Sequence, residues 1–265
     1  MSTLEQFQLE HDGIQVHGVV QGNGPPVLLV HGMPSSRHVW GLVKDDIATR
    51  YRAIALDLPG FGKSTKVALP TLDAFAGWLA RVLDHVGEAS AHVVGHSFGG
   101  MLSLAFLHRF PQRVRSLVLC DSVGLGPYMG SEGQRRFAAA RTREEIRAFL
   151  QRLFHDPSCI SDALVEGQFA YVTQPGVPEV LEGLISRREE WEAQVRARAD
   201  AIDVPLMVIW GKDDRPVPVA HAERLRHVPG AQIVIMENCG HAPMVERAQE
   251  FGAHLLRFLD SVRES

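Results

Sequence analysis

A chain of 265 residues with a formal net charge of -4 has room for one α/β domain carrying an insertion, and it lacks the basic run that would track nucleic-acid phosphates. No apolar stretch approaches the roughly 20 residues of a membrane span, and residues 1–12 are polar and acidic, without the apolar core of a secretory signal, so a cytoplasmic protein with no membrane partner is expected. Cys120, Cys159 and Cys239 are widely spaced in or beside apolar segments, which fits small core residues in a reducing compartment rather than a disulfide framework.

In chain order, residues 7–9 and 14–20 alternate apolar and polar side chains on either side of His11, Asp12 and Gly13, a hairpin pattern predicted to form an antiparallel edge. From residue 27 onward, apolar runs alternate with helical patterns. Residues 27–30, 53–56, 92–94, 116–119, 206–209 and 233–236 read as buried strands, and the alternation predicts a mostly parallel sheet of about eight strands covered by helices. Residues 72–86 carry Phe75, Trp78, Leu79, Val82, Leu83 and Val86 on one helical stripe, and Phe251, Leu255, Phe258, Leu259 and Val262 repeat that spacing. The strand rhythm stops between residues 124 and 203, where the chain becomes rich in arginine and Ile146, Phe149, Leu150, Leu153 and Phe154 form an amphipathic face. The predicted organisation is a core of residues 1–123 and 204–265 with a helical cap, 124–203, inserted over the C-terminal strand ends, where ligands bind in open α/β sheets.

The chemistry concentrates just past the predicted strands. Gly95, His96, Ser97, Phe98 and Gly99 match G-x-S-x-G between a strand and a helix, a nucleophile elbow whose glycines relieve the crowding of a strained turn and whose serine projects above the sheet. Trp210, Gly211, Lys212, Asp213 and Asp214 end a later strand, and Gly240 and His241 follow another. The order Ser, Asp, His suits this architecture. Asp213 and Asp214 compete for the acid, and Asp121, after the strand at 116–119, is a third candidate. The turn His31, Gly32, Met33 and Pro34 is placed to aim the Met33 N–H at a developing oxyanion, with the Phe98 N–H as its partner. His31 and His96 read as scaffolding.

Other chemistries find no support. Thirteen histidines form no H-E-x-x-H, and no C-x-x-C occurs, so no metal is expected. A phosphate loop ending at Gly62, Lys63 and Ser64 would need glycine where Asp57 stands, and a dinucleotide fingerprint would need glycine at Ser97. No cofactor is expected, and Asp57 reads as a tie for the turn that follows it.

With these motifs in register, the sequence resembles the α/β-hydrolase family over nearly its whole length. The resemblance also covers the turn from Asp57 through Gly60, Phe61 and Gly62 to Ser64, and the closing Gly240, His241, Ala242, Pro243, Met244, Val245 and Glu246. It implies an α/β-hydrolase fold with a helical cap, a Ser97, His241 and Asp214 triad, since the family's W-G-x-x-D pattern selects Asp214, and an oxyanion hole at Met33 and Phe98. A serine nucleophile points away from the dehalogenases and epoxide hydrolases, which use aspartate. The implied activity is hydrolysis of a small carboxylic ester or related acyl substrate. The alternative is the branch that cleaves carbon-carbon bonds in vinylogous diketones, whose members usually carry tryptophan where Ala242 stands. Lactonases, cofactor-free haloperoxidases and ligand-binding receptors of this fold are further alternatives. Candidate substrate contacts are Trp40, Phe149, Phe169, Trp191 and Arg188, against a plainer reading of Trp40 as packing for the first helix and of Arg187 and Arg188 as a solvated face. Oligomeric state is left open.

Overall fold

Asp12 and Gly13, at φ of 50° and 74°, form the two-residue turn between β1 (Leu4–His11) and β2 (Ile14–Gln21), the turn class whose twist matches the paired strands. The computed structural model describes residues 3–263. Six further strands follow: β3 (Pro26–Val30), β4 (Arg52–Leu56), β5 (Ala91–His96), β6 (Val114–Cys120), β7 (Leu206–Gly211) and β8 (Gln232–Met236). They form one sheet in the order β1-β2-β4-β3-β5-β6-β7-β8, antiparallel at the β1/β2 and β2/β4 pairings and parallel elsewhere. Every residue of β3, β5 and β7 is buried, as expected of strands covered on both faces, whereas the edge strand β1 has no buried residue.

The chain runs outward from β3 to β4, then crosses back to β5 on the other side of β3 and continues toward β8. The loops leaving β3 and β5 therefore diverge, and that switch point opens a crevice at the C-terminal ends of the strands. Helices α1 (Gly41–Ile47), α2 (Leu72–His85) and α3 (Phe98–Arg109) fill the connections as far as β6. Thr71 caps α2 by accepting a hydrogen bond from the Ala74 amide, and of its predicted stripe Phe75, Trp78, Leu79, Val82 and Leu83 are buried while Val86, at the C-cap, is half-buried.

Between β6 and β7 stand α4 (Glu132–Ala138), α5 (Arg143–Leu153), α6 (Asp162–Val172), α7 (Val177–Ile185) and α8 (Arg188–Arg196). A reciprocal capping box between Thr142 and Glu145 starts α5, which buries Ile146, Phe149 and Leu150. The arginines of this segment form mainly surface pairs, Arg143 with Glu166 and Arg147 with Asp162, which solvent screens. Two short helices, α9 (Ala220–Glu223) and α10 (Pro243–Glu246), precede the long α11 (Ala248–Arg263), whose Phe251, Leu255, Phe258 and Leu259 are buried. All three cysteines are free thiols, two of them buried. Among the described residues, no helix is long and apolar enough to cross a membrane.

Candidate active site

The turn from β5 into α3 places Ser97 at φ 54° and ψ -116°, a strained conformation for a residue with a side chain. The flanking glycines are required by contact. A Cβ on Gly95 would collide with the Ser103 hydroxyl and the Gly99 carbonyl, and one on Gly99 with the carbonyls of Val30 and His31. β5 and α3 thus approach closely enough to hold the serine at the mouth of the crevice.

Ser97 Oγ lies 3.0 Å from His241 Nε2, and His241 Nδ1 lies 2.7 Å from Asp214 Oδ2. All three residues are buried. The other oxygen of Asp214 accepts the Val217 amide at 2.8 Å, while the Trp210 indole N–H donates to the Val217 carbonyl at 3.0 Å, so the strand-end tryptophan braces the loop that aims the acid. Among the described residues, the amides of Met33 and Phe98 have no acceptor. Phe98 opens α3, and its N–H is one of the orphan donors of a helix start.

The rival acids are placed differently. Asp213 turns outward, 2.9 Å from His155 Nδ1, and is 42 % exposed. Asp121 is fully buried behind Asp214, where its Oδ1 accepts the Gly211 amide at 3.0 Å and its Oδ2 accepts the Cys120 thiol at 3.2 Å. Burial, and next the charge of Asp214 beside it, push the Asp121 carboxyl well above the usual carboxylate range. The two carboxyls face each other through a hydrogen bond. Asp121, Asp214 and His241 bring three ligand-type atoms within 4.8 Å of one another, but the His241 nitrogen facing them is held by Asp214.

Both flanking histidines bind backbone. His31 Nε2 accepts the Leu58 amide at 3.0 Å, and His96 Nε2 donates to the His241 carbonyl at 2.6 Å. Burial, reinforced by the neighbouring His241, lowers the His96 pKa to about 3, so it is a neutral strut. Asp57 is buried and accepts the amides of Arg37 (2.9 Å) and Lys63 (3.0 Å) as well as the Arg37 guanidinium, which ties down the turn after β4.

A cavity of about 380 Å³ opens at the site, bordered by Gly32, Met33, His96, His241 and Ala242 from the core and by Phe149, Leu150, Leu153 and Phe154 from the inserted segment. Of the candidate substrate contacts, Phe149 reaches it. The structure does not bring the other four there. Trp40 is fully buried against Phe251 of α11, because the short helix that carries it faces the core. Phe169 is half-buried on the face of α6 that carries the buried Val165 and Val172, outside the lining of this cavity, with the Arg143 guanidinium 4.5 Å from its ring centroid. Trp191 is buried between Phe75 and Phe98, supporting the elbow from behind. Arg188 is 4 % exposed and bonded to Glu192 at 2.5 Å; it borders a separate cavity beyond Phe149 and is no solvated face.

Two braces had no separate signal in the sequence. The His241 amide donates to the Leu153 carbonyl at 2.7 Å, and the Glu246 carboxylate accepts the amides of Gly240 (2.8 Å), His155 (2.7 Å) and Asp156 (3.2 Å). Burial raises the pKa of Glu246. An acid six residues past a loop glycine reads as the first turn of a helix, and only the fold reveals that it clamps the histidine loop to the inserted helices.

The family model for the alpha/beta hydrolase fold matches residues 25–248. The chain is 35% identical over 256 residues to the dihydrolipoyllysine-residue acetyltransferase component of the acetoin cleaving system of Cupriavidus necator, covering 94% of this chain and 67% of that protein. A Pseudomonas putida protein of the same name is 34% identical, with 64% of its length covered, so the chain spans about two thirds of these relatives. A 2-hydroxy-6-oxononadienedioate/2-hydroxy-6-oxononatrienedioate hydrolase of Burkholderia vietnamiensis is 31% identical, with 97% of this chain and 96% of that protein covered. Among solved structures, a meta-cleavage product hydrolase of Pseudomonas fluorescens, complexed with acetates, superposes with a TM-score of 0.88 at 25% identity, covering 96% and 97% of the two chains. The elbow, the sheet order and a family match spanning most of the chain lead to one conclusion: this protein belongs to the alpha/beta hydrolase fold family.

Proposed function

We propose that this protein is a serine hydrolase acting on a small carboxylic ester or related acyl substrate through the Ser97, His241 and Asp214 triad. The observation that carries the reading is the unbroken hydrogen-bonded chain from Ser97 Oγ through both nitrogens of His241 to Asp214, at a strained elbow beside the cavity. Ser97 Oγ attacks the acyl carbon while its proton passes to His241 Nε2, and Asp214 stabilises the imidazolium through Nδ1–H. The negative charge on the acyl oxygen falls to the Met33 and Phe98 amides, which have no other acceptor to give up. His241 then protonates the leaving group, and an acyl-enzyme remains on Ser97. Water, losing a proton to His241, releases the acid and restores the serine.

The inserted helices act as a lid that excludes water and sets the fit of the acyl group. Phe149, Leu150, Leu153 and Phe154 support an apolar acyl chain. The roles require no metal or organic cofactor, and activity is expected to survive chelation and dialysis. Labelling by a fluorophosphonate tests the reading, together with hydrolysis of p-nitrophenyl esters of graded chain length. Modification of Ser97 with loss of turnover is expected; an unlabelled protein that turns over no ester would overturn it.

A second reading, cleavage of a carbon-carbon bond in a dienoate, is favoured by the Burkholderia hydrolase, similar over nearly its full length. Against it stand Ala242 after the histidine and the pairing of Arg188 with Glu192, which leaves that guanidinium outside the lining of the triad cavity. Loss of the dienoate's absorbance on a 2-hydroxy-6-oxo-dienoate at a kcat/KM above that on any ester would make it the better one. The acetyl transfer named for the Cupriavidus relative would use the same acyl-enzyme with a thiol replacing water, and a dithiol added to the assay separates it.

A further inference from the structure

Three segments hold the backbone around His241. Its amide donates to the Leu153 carbonyl at 2.7 Å, its carbonyl accepts the His96 ring N–H at 2.6 Å, and the preceding Gly240 amide donates to Glu246 Oε1 at 2.8 Å. Glu246 Oε2 accepts the amides of His155 (2.7 Å) and Asp156 (3.2 Å), so one carboxylate joins the base loop to the chain that leaves α5. The two backbones are also in contact. A Cβ on Gly240 would stand 2.3 Å from the Leu153 carbonyl oxygen and 2.7 Å from the His155 nitrogen, which leaves room only for glycine.

We propose that Glu246 is a positioning residue for the reaction: by tying Gly240 to residues 155 and 156, it fixes the backbone from which the His241 imidazole reaches both Ser97 and Asp214. The inference rests on the hydrolase reading above. It gives the inserted segment a part in the chemistry, besides the fit of the acyl group.

The end of α5 supports this assignment. The last carbonyls of a helix have no donor within it and must find one elsewhere. The Leu153 carbonyl finds the His241 amide, and the Gln151 carbonyl finds the guanidinium of Arg215, the residue after Asp214, at 2.9 Å. One helix end is therefore bonded to the loop of the acid and to the loop of the base, and sets the two against each other. Glu246 itself lies outside the lining of the triad cavity, and the bonds of its carboxylate go to backbone amides, so its effect on the reaction passes through the loop and not through the substrate.

Both oxygens are needed for that role. Glutamine keeps the length and volume of the side chain but replaces one acceptor with an NH2 group, which meets amide donors with a donor, so it can hold one segment and not both.

The test compares Glu246→Gln with the wild-type protein on p-nitrophenyl acetate, whose acyl group is too short to use the apolar wall. Displacement of a catalytic group by about 1 Å can cost about a hundredfold, so kcat is expected to fall by roughly tenfold to a hundredfold while KM stays within about twofold. The His241 Nδ1 proton donated to Asp214, followed by NMR at low field in protein shown by its melting transition to be folded, is expected to shift or broaden. Glu246→Asp keeps two acceptors on a shorter arm; a smaller loss of kcat with the same change at the proton is expected, and it carries the test if the glutamine variant does not fold. An Nδ1 proton that stays as in wild type, or a loss confined to KM and to longer esters, would overturn the assignment, the latter being the mark of a merely structural hold on the lid. If the wild-type protein turns over no ester, the hydrolase reading fails and the proton alone decides: its displacement by Glu246→Gln leaves the positioning of His241 standing.

Discussion

The loops at the strand ends and the inserted helices approach the same cavity by different means. After β5, β7 and β8 the backbone sets the geometry: Ser97 is held by glycine contacts, Asp214 by the Val217 amide and His241 by the Leu153 carbonyl. In α4 to α8 side-chain packing dominates, with Phe149 and Leu150 facing inward and ion pairs such as Arg143 with Glu166 on the outside. A backbone-built site tolerates little change and treats all substrates alike. A site built from side chains is replaceable residue by residue, and the proposed function assigns selectivity to it.

The sharpest way to break this division is to remove the nucleophile. Ser97→Ala is expected to lower kcat by on the order of a million-fold for every ester in a graded series. Retention of substantial turnover on any one ester would show a second route to catalysis. Asp214→Asn should cost about ten-thousand-fold, as loss of the acid that orients a triad histidine does. Asp213→Asn, at an exposed position facing His155, should remain within about twofold, the usual scale of a surface change. Steady-state kinetics on one ester rank the pair, and a reversed ranking would reassign the acid.

On the other side of the comparison, Phe149→Ala should reorder esters by chain length, with shifts of about 1 to 3 kcal/mol for each methylene that loses its packing. Phe169→Ala, beneath Arg143 and outside the cavity lining, should leave the order as it is. If kcat/KM across the series moves for Phe169 and not for Phe149, selectivity is not set by the cavity wall.

The smallest expected effect concerns Asp121. Asparagine mimics a protonated carboxyl, keeping an acceptor for the Gly211 amide and a donor toward Asp214, so Asp121→Asn should retain activity to within a few-fold. Its signature is in stability. Because burial and Asp214 raise the Asp121 pKa, the native chain holds a proton that the unfolded chain loses above about pH 4. The native state then binds more protons, and that group's contribution to stability falls as pH rises. Asparagine does not titrate, so the melting temperature of the variant, measured against wild type from about pH 4 to pH 7, should gain with rising pH. A flat difference would mean that Asp121 is ionised in the native state.

The same division explains what the sequence disclosed. The strand rhythm, the elbow and the turn at Asp57 were legible because each depends on neighbours a few residues away: Gly95 and Gly99 frame Ser97, and Lys63 binds Asp57. The choice of Asp214 over Asp213 needed the family pattern, since a one-residue difference in the loop decides which carboxylate points inward. Contacts between distant segments left no mark. Trp40 meets Phe251, Glu246 binds residues 155 and 156, and Arg188 and Glu192, visible as an i to i+4 pair, gave no hint of being buried. Periodicity tells which face of a helix is apolar; it does not tell which neighbour covers that face.

The clamp at Glu246 has a consequence for the timing of catalysis. Moving residues 153 to 156 away from the sheet would break the bond from the His241 amide to Leu153 and both bonds from the inserted segment to Glu246. In the proposed mechanism, the general base is therefore registered against the inserted segment that borders the cavity. On that mechanism, a ligand that pushed the segment outward would loosen the backbone that seats the imidazole, and one too large to let the segment settle back is expected to bind without reacting.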